Sequence, residues 1–535
     1  MSRLEIASPK RAKIVMEGLY KDLERRIESS PPGLCPVDMA RAFLELCHAQ
    51  TCGKCVPCRI GLGQLNNFIR EVLDGKATMK TLDIMEQTAL SIMESADCAI
   101  GYEAANMVYK GLIGYRDDYI EHIQNGRCTC TYNQPVPCVS LCPAHVDIPG
   151  YIALVGEGRY ADAIRLLRKD NPFPTTCGFI CEHPCEARCR RNMVDDSINI
   201  RGLKRVAADF AGEVDPPQCA PSTGKKIAIL GGGPGGLSAA YYLQLMGHQT
   251  TVYEMLPELG GMLRYGIPNY RLPKERLDDD IRAILKTGVQ VKNGLKIGQD
   301  ITIQELRQQY DVVLITIGAS TDKKLGLENE DADGIISAVQ FLRNVGKNQI
   351  IDLTGKEVVV IGGGNVSMDA VRTAKRLGAK KVSIVYRRRV ADMTALPGEI
   401  EGAVAEGIEL QTLKAPASID VDENHHVKGI YVTPQMVSSI RDGRASIKPT
   451  GEEDIYIPCD VLIVAIGQNI ETHHFEQAGI PVERGKIITK STGAFENLPG
   501  VFAGGDCASG PASVIKAIAA AKVVAANIDE YLGYH

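Results

Sequence analysis

The 535-residue sequence has no large excess of charge and no apolar segment long enough to cross a membrane. Its 60 basic and 65 acidic side chains give a formal net charge of -5, so it lacks the basic surface that attracts nucleic acid or anionic lipid. The N-terminal residues alternate in charge and lack the apolar core of a signal peptide. We therefore expect a cytoplasmic protein with no nucleic-acid partner and no membrane insertion.

Cysteine is abundant, with 17 residues, most of them between Cys35 and Cys189. A reducing cytosol does not favour disulfides, so clustered cysteines there indicate bound metal. Cys219, Cys459 and Cys507 are isolated and are expected to be plain thiols. A chain of this length should contain about three or four domains.

The segment from Lys226 to Glu254 has the order of a dinucleotide-binding unit. A short apolar run leads into a G-x-G-x-x-G turn, a helix rich in Ala and Leu follows, and a β-branched strand ends at Glu254. In such units the helix N-terminus binds a pyrophosphate and the terminal acid binds a ribose. An ordinary glycine turn is the alternative. The residues predicted to contact the nucleotide are Gly231, Gly233, Pro234, Gly235, Gly236 and Glu254.

A second unit, from Lys356 to Arg389, repeats this order, with Ser367 in the place of the third glycine. Its second strand ends in Tyr386 and a run of arginines, without an acid to bind a ribose 2′-hydroxyl. This favours the 2′-phosphate of NADP over NAD, and a solvated basic corner is the alternative. The predicted contacts are Gly362, Gly364, Asn365, Val366, Arg387, Arg388 and, where the chain returns from this unit, Gly467.

Near the N-terminus, TCGKCVPCR places three cysteines in a C-x-x-C-x-x-C loop, and a fourth follows after two apparent helices. This arrangement predicts a [4Fe-4S] cubane, with structural zinc as the alternative. The predicted ligands are Cys52, Cys55, Cys58 and Cys98. Cys35 and Cys47 lie outside the loop and are expected not to be ligands.

This module, from about Arg41 to Ile123, resembles the cluster-binding end of the NADH-binding flavoprotein subunit of respiratory complex I. That family carries a flavin-mononucleotide domain upstream, and the residues that precede Arg41 in this sequence are expected to be too few to hold one. The resemblance implies that the module docks against a separate flavoprotein subunit and exchanges electrons with it.

A second cysteine field consists of two runs, Cys128, Cys130, Cys138 and Cys142, then Cys177, Cys181, Cys185 and Cys189. A C-x-x-x-C-P ending is typical of ferredoxins in which the last cysteine ligates another cluster, so two cubanes are expected here. One structural zinc with spare thiols is the alternative. Between the runs, the pattern predicts a helical hairpin that includes Ile152, Val155, Ile164 and Leu167.

From this field to the C-terminus the chain resembles the small subunit of bacterial glutamate synthase and its relatives. These include the large subunit of NADH-dependent ferredoxin:NADP oxidoreductase and the N-terminal part of dihydropyrimidine dehydrogenase. The resemblance implies one cluster on Cys128, Cys130, Cys138 and Cys189, and another on Cys142, Cys181 and Cys185. The first pair is spaced C-x-C rather than C-x-x-C. Lys204 stands where relatives have a Glu or Gln ligand, so the fourth ligand stays open and Cys177 is a fallback.

The flavin-binding signature of this family is matched by ELGGMLRYGIPNYRLPKE, and its closing motif by GVFAGGDCASGPAS. A proline-punctuated loop is the alternative for the first. A domain closed by a returning Gly-Gly-Asp segment implies FAD at the first glycine turn. The resemblance implies FAD contacts at Gly261, Leu263, Arg271 and Asp506. Further predicted cofactor contacts are Ile297, Gly318, Gly505 and Ser513.

We therefore predict an α/β fold with two nested, glutathione-reductase-like dinucleotide-binding domains preceded by two α-helical iron–sulfur domains. The predicted boundaries are 1–125 and 126–215 for the iron–sulfur domains, 225–350 with 460–535 for FAD, and 351–459 for NADP(H). Three clusters are expected. Hydride transfer between nicotinamide and flavin depends on positioning, so no catalytic side chain is predicted.

The leading functional hypothesis is the NADP(H)-binding subunit of a ferredoxin-linked NADH/NADPH transhydrogenase, with electron bifurcation at its FAD as a further hypothesis. Its expected partners are NADPH, ferredoxin and a flavoprotein resembling the complex I subunit. The runner-up is an NADPH diaphorase subunit that serves a hydrogenase, a formate dehydrogenase or a glutamate synthase. An iron–sulfur redox sensor or scaffold is the alternative from another class.

Overall fold

The computed structural model describes residues 35–126, 136–349, 351–441 and 444–533. The chain divides into two compact units, Met1–Ile148 with His183–Ile200, and Pro149–Glu182 with Arg201–His535. The domain boundaries given above stay predictions.

The first unit is helical and surrounds one hydrophobic core. Apolar side chains recur every three or four residues along its helices and so lie on one face of each. Leu65, Ile69 and Val72 of one helix, and Leu82 and Met85 of the next, are fully buried. The helical segments are Pro36–Ala49, the π-helical turn Pro57–Gly61, Leu62–Leu73, Met79–Ser95, Ala99–Gly114, Arg116–Asn125, Pro137–Leu141, Pro184–Ala187 and the 3-10 turn Arg190–Met193.

The second unit begins with short helices that carry part of the second cysteine field. Two consecutive helices across a short turn correspond to the predicted hairpin, and Val155, Ile164 and Leu167 are buried on them. The helices are Ile148–Gly156, whose first residue belongs to the first unit, Tyr160–Arg168, Pro174–Ile180 and Ile200–Phe210.

The first dinucleotide domain is built on a five-stranded parallel sheet. Apolar side chains fill its inner strands because helices cover such a sheet on both faces. In spatial order the strands are Val501–Ala503, Val312–Ile315, Lys226–Leu230, Gln249–Glu254 and Gln290–Asn293. The helices are Pro234–Leu245, Met262–Tyr265, Lys274–Leu285, Ile303–Gln309, His473–Gln477, Asp506–Ser509 and Val514–Tyr531, with a strand pair Val482–Glu483 and Lys486–Ile487.

The second dinucleotide domain repeats this layout in another five-stranded parallel sheet. In spatial order its strands are Ile335–Ser337, Val461–Val464, Glu357–Ile361, Lys381–Tyr386 and Glu409–Thr412. An antiparallel sheet is inserted before the chain returns, with strands Lys414–Val421, Val427–Arg441, Arg444–Pro449 and Ile455–Pro458. The helical segments are Ala338–Gly346, Asn365–Arg376, the 3-10 turn Val390–Asp392 and Pro397–Ala405.

The chain crosses between the two dinucleotide domains twice, and the crossings pair as the short antiparallel strands Thr321–Asp322 and Gln468–Asn469. One domain is thus nested in the other, and the predicted fold class is confirmed. Within the described ranges, no helix is both long and apolar enough to span a membrane.

Candidate functional site

The first glycine turn joins a strand to a helix through a very close backbone approach. Gly231 has a φ of +112°, which residues with a Cβ rarely adopt. A Cβ on Gly236 would lie 1.9 Å from the carbonyl oxygen of Gly231. Gly233 caps the helix, which begins with Pro234 and Gly235. The helix N-terminus therefore has the position at which this motif binds a dinucleotide phosphate.

Glu254, at the end of the adjacent strand, is buried against this turn. One carboxylate oxygen accepts a hydrogen bond from the N–H of Gly232 at 2.7 Å, and the other accepts one from the N–H of Leu256 at 2.8 Å. Burial raises the pKa of Glu254, and these backbone donors oppose the rise. Glu254 thus braces the turn and, with Gly231 and Ile297, lines a cavity of about 80 Å³. Its bond to a ribose stays a prediction.

The predicted flavin-binding loop returns to the same turn. A Cβ on Gly261 would approach the Cα of Gly233 to 2.8 Å, so only glycine allows the two backbones to meet. Leu263, in the following short helix, is buried. Gly318 has a φ of +68° and follows a central strand of the sheet.

Asp506 follows the last strand and opens a short helix after Gly505, whose φ is +75°. Burial raises the pKa of Asp506 to about 6, and the N–H of Ala512 opposes this by donating to the carboxylate. A carboxylate in this position can accept hydrogen bonds from a ribityl chain, and the contact between Asp506 and FAD stays a prediction. The left-handed conformation of Gly505 turns the chain so that the carboxyl follows the strand directly.

A cavity of about 920 Å³ opens beside the second glycine turn. Ligand cavities in proteins range from about 300 to 1,000 Å³, so its size fits a nicotinamide dinucleotide. Its wall includes residues of both dinucleotide domains, among them Ser513, which caps the C-terminal helix, and Lys516 in its first turn. The predicted site residues that line it are Gly362, Gly364, Asn365, Val366, Arg387, Arg388, Gly467 and Ser513.

The three consecutive arginines differ in their surroundings. Arg387 is exposed, and Arg388 is half-buried, with its Nε donating to the carbonyl oxygen of Ala445 at 2.9 Å. Arg389 instead pairs with Asp392 at 2.8 Å. Arg387 and Arg388 both line the cavity, and their contact with a 2′-phosphate stays a prediction.

The second turn departs from the glycine pattern at Ser367, which is fully buried. Among the described residues, its hydroxyl has no hydrogen-bond partner. The ring of Tyr386 covers Gly363, where a Cβ would come within 2.6 Å of ring carbons. The hydroxyl of Tyr386 donates to the carbonyl oxygen of Asp392 at 2.7 Å, which fixes the ring.

Arg271, expected beside the flavin, has its described contacts with carboxylates of the second dinucleotide domain. One guanidinium nitrogen donates to both oxygens of Asp369 at 2.9 and 2.8 Å, and another lies 3.1 Å from Glu399. Burial lowers the pKa of Arg271, and the two carboxylates more than offset it, so the net shift is upward. A contact between Arg271 and FAD stays a prediction.

The four N-terminal cysteines predicted to bind a cluster lie in one neighbourhood. Burial raises the pKa of Cys58 to about 12, and a hydrogen bond to Cys55 and the charges of Cys55, Cys98 and Cys52 add to it. Burial also raises the pKa of Cys55, but hydrogen bonds from the backbone of Asp97 and from Cys58 outweigh it, so the net shift is downward. Thiols this close to one another can ligate one cluster once deprotonated.

Within the described ranges, no three His, Cys, Asp or Glu side chains are close enough to share a single metal ion. A cubane offers a separate iron to each thiolate, so its thiolates lie farther apart than those around one zinc. The cluster ligands of this loop stay a prediction. Gly101 makes room for the sulfur of Cys58, because a Cβ there would lie 2.6 Å from it.

Of the two cysteines expected not to be ligands, Cys47 lies near Cys58. Burial raises the pKa of Cys47 to about 12, and the charges of Glu103 and Cys58 add to the rise. The sulfur of Cys35 lies 3.3 Å from Nε2 of His122, and Cys47 is fully buried in the helical core.

In the second cysteine field, Cys138, Cys142 and Cys189 of the first unit lie near one another. Burial raises the pKa of Cys138, and the charges of Cys189 and Cys142 add to the rise. The backbone N–H of Ile198 donates to the sulfur of Cys189 at 3.5 Å. Cys185 is buried in the same unit. Cys128 and Cys130 lie outside the described residues.

Cys177 and Cys181 belong to the second unit and are both buried. Burial raises the pKa of Cys177, Cys181 adds to the rise, and Lys204 opposes it. The helix that contains Cys177 is held by Asp280, which is fully buried and accepts the N–H groups of Thr175 and Thr176 at 3.2 and 2.7 Å. The cluster assignments of both runs stay predictions.

A family model described as pyridine nucleotide-disulphide oxidoreductase matches residues 225–521, which is more than half of the chain. The chain belongs to this family. The NADH-ubiquinone oxidoreductase-F iron-sulfur binding region matches residues 38–122, and the dihydropyrimidine dehydrogenase domain II, 4Fe-4S cluster, matches residues 114–215. This member of the family is an oxidoreductase whose cofactors are FAD, NADP(H) and [4Fe-4S] clusters, as predicted.

Curated relatives support the same assignment over most of their length. The NADP(+)-dependent formate dehydrogenase subunit beta of Moorella thermoacetica is 32% identical over 92% of this chain and 79% of its own. The NADPH-Fe(3+) oxidoreductase subunit beta of Geobacter sulfurreducens is 34% identical over 94% and 79%. The glutamate synthase [NADPH] small chain of Escherichia coli is 34% identical over 74% and 88%. The predicted kinship with the glutamate synthase small subunit is thus confirmed.

Among solved structures, FprA of Mycobacterium tuberculosis in its His57Gln form matches with a TM-score of 0.51 and 21% identity. The match covers 59% of this chain and 85% of that one. At this identity the likeness concerns the fold, and it agrees with the two dinucleotide domains described above.

Sequence reasoning missed several residues around these sites. Asp369 and Glu399 pair with Arg271, Glu182 lines the large cavity, and Asp280 holds the helix of Cys177. Asp369 could have been noticed in the sequence, because it is a charged residue on a helix face whose other residues are buried.

Proposed function

We propose that the chain is the NADP(H)-binding, electron-transferring subunit of a multi-subunit cytoplasmic oxidoreductase. The observation that carries the proposal is the cavity of about 920 Å³ shared by Arg387 and Arg388 of the second domain and Ser513 of the first. The two relatives that match 92% and 94% of this chain are named as beta subunits, which supports a role within an assembly. Clustered cysteines suit a reducing compartment.

When bound in such a subunit, FAD would supply the capacity to accept a hydride from NADPH and to release electrons singly to iron–sulfur clusters. The contribution of the protein is to position these cofactors. The second turn and its arginines would hold NADP(H), while Gly231, Glu254 and Asp506 would hold FAD. The cysteines would hold the clusters. No acid or base is required of the protein for a hydride transfer between two held rings.

For the acceptor, an NADPH diaphorase subunit fits best. The relatives that extend through the N-terminal cysteine module are named for formate dehydrogenase and for Fe(3+) reduction. By comparison, the match to the glutamate synthase small chain covers 74% of the present protein. The shared N-terminal module therefore favours delivery of NADPH electrons to a partner dehydrogenase or reductase.

A ferredoxin-linked transhydrogenase, with or without bifurcation, is the second candidate. The match of residues 38–122 to the iron–sulfur region of an NADH-oxidising subunit favours it. In that case the partners are ferredoxin and a flavoprotein that resembles the complex I subunit.

Anaerobic affinity purification of the tagged chain from its own cells, with assay of the complex, separates these candidates. A partner with formate dehydrogenase or hydrogenase activity driven by NADP(H) supports the diaphorase. NADH-dependent reduction of both NADP and ferredoxin supports the transhydrogenase. Glutamate synthase large subunit as the sole partner contradicts the transhydrogenase. If NADPH does not bleach the flavin of the purified chain, the protein is a sensor or scaffold, and both proposals fail.

A further inference from the structure

The two crossings of the chain between the dinucleotide domains make few contacts with each other. The two crossings pair only over Thr321–Asp322 and Gln468–Asn469, with one side-chain hydrogen bond from Asn469 to the carbonyl oxygen of Asp322 at 3.0 Å. Short paired loops of this kind absorb changes in φ and ψ and serve as hinges in other proteins. Contacts outside the crossings must therefore set the angle between the domains. One is the approach of Gly346 to the backbone of Arg264 and Tyr265, where a Cβ would lie 3.2 Å from both.

Arg271 makes such a contact, and we name the group Arg271, Asp369 and Glu399 the arginine latch. Arg271 belongs to the first domain and its two partners to the second. It donates to both oxygens of Asp369 and lies 3.1 Å from Glu399. The side chains of Arg271 and Asp369 are 11% and 6% exposed, so water screens this pair little.

Residues next to the arginine latch make further contacts that hold its side chains in place. Glu399 also pairs with Arg372 at 2.8 Å, and Tyr270, next to Arg271, lies under the guanidinium of Arg376 with 4.2 Å to the ring centroid. An arginine over an aromatic face adds cation–π attraction to the ion pairs. The latch is therefore one part of a charged and aromatic contact between the domains.

The latch connects the elements that hold the two coenzymes. Asp369 lies on the helix whose first residues, Asn365 and Val366, line the large cavity. On the other side, the ammonium of Lys274 donates to the carbonyl oxygens of Ile267 at 2.6 Å and Leu263 at 3.3 Å. This ties the Arg271 loop to the segment predicted to border the flavin.

We propose that Arg271 is a positioning residue: its ion pairs with Asp369 and Glu399 hold the NADP(H) domain at the angle to the FAD domain that hydride transfer requires. The inference rests on the proposed hydride route between the two domains. Turning the domains apart would leave buried charges without partners, which is costly. The enzyme thus keeps one arrangement rather than alternating between two.

The test uses the FAD- and cluster-replete chain and its variants R271M, R271K and the double variant R271M/D369L. The double variant removes both charges, so no buried charge is left unpaired and the chain should fold. R282M is the matched control, because Arg282 pairs on the surface with Asp279 inside one domain. The readouts are FAD content, the dissociation constant of NADP+, the single-turnover rate of flavin reduction by NADPH, and hydrogen–deuterium exchange.

We expect R271M and the double variant to keep FAD and to bind NADP+ within about threefold of the wild type, while flavin reduction slows at least tenfold. Hydrogen–deuterium exchange of the backbone amides should rise in residues 262–273 and 365–376. R271K should fall between, and R282M should match the wild type. A double variant with wild-type reduction rate and exchange overturns the proposal. Loss of FAD without a change in exchange also overturns it, since Arg271 would then contact the flavin. Failure of the wild type to reduce its flavin would contradict the proposed function instead.

Discussion

At the first glycine turn the neighbouring strand ends in a buried glutamate that accepts two backbone hydrogen bonds, whereas at the second it ends in Tyr386 and three arginines. Both turns join the same strand and helix in parallel sheets of the same layout. In units of this kind the backbone topology brings a phosphate to the helix N-terminus. We predict that the residues at the end of the second strand select the nucleotide. A carboxylate suits ribose hydroxyls, and guanidinium groups suit a 2′-phosphate.

The third position of each turn shows a second difference. Gly236 lies so close to Gly231 that no Cβ fits, while Ser367 occupies the equivalent place in the second turn. The second turn therefore admits one small side chain at this position. The first turn should be the less tolerant of substitution.

Gly236→Ala should have the largest effect, because its Cβ would meet a backbone oxygen at 1.9 Å and the helix would have to move. We expect destabilisation of about 4 kcal/mol or more and loss of FAD, measured by thermal unfolding and flavin content. Gly398→Ala is the control, since nothing lies within 4 Å of its Cβ, and it should stabilise by about 0.5 to 1 kcal/mol. Retention of FAD by the Gly236 variant would show that the approach is looser than described.

The double variant R387A/R388A should abolish the preference for NADPH over NADH. Charge-assisted hydrogen bonds are worth about 1.5–3 kcal/mol, so the ratio of kcat/KM values should fall by about 10- to 100-fold. Arg389→Ala should leave the ratio as it is, because Arg389 pairs with Asp392. A change with Arg389→Ala but not with the double variant would reverse the assignment.

Glu254→Gln should weaken FAD binding by about tenfold. The amide can accept from one of the two N–H groups now bound to Glu254, and its own NH₂ would face the other, at a cost of about 1–3 kcal/mol. Equilibrium release of FAD during dilution measures this. An undiminished affinity would mean that the carboxylate contributes neither to the turn nor to the ribose.

Ser367→Ala should have the smallest effect. The hydroxyl is buried without a hydrogen-bond partner among the described residues, so its removal should leave stability unchanged or raise it by about 1 kcal/mol. Thermal unfolding checks the sign. Clear destabilisation would indicate that the hydroxyl bonds to the coenzyme or to water.

Local motifs made much of this molecule predictable. The two glycine turns and the C-x-x-C-x-x-C loop depend on residues close in sequence. Each motif needs a particular backbone conformation, which restricts the residue types at its positions. The nested order followed from a repeated unit and a returning strand. From these features the fold class and the cofactors were predicted, and the structure and the family matches confirmed them.

The partners of Arg271 were not predictable in the same way. Asp369 is 98 residues away in the chain, and only the packing of two domains brings the charges together. A motif can place Arg271 on a loop near the flavin, but it does not indicate which carboxylates approach from another domain. The same holds for Asp280, which reaches the N–H of Thr176 across 104 residues.

An anaerobic titration of the FAD- and cluster-replete chain with NADPH, and separately with NADH, tests the central claim most directly. Visible absorption follows the flavin, and electron paramagnetic resonance follows the clusters. We predict that NADPH bleaches the flavin at concentrations at which NADH does so far more slowly. Bleaching by NADH at an equal or greater rate would contradict the assignment of the second turn to NADP(H).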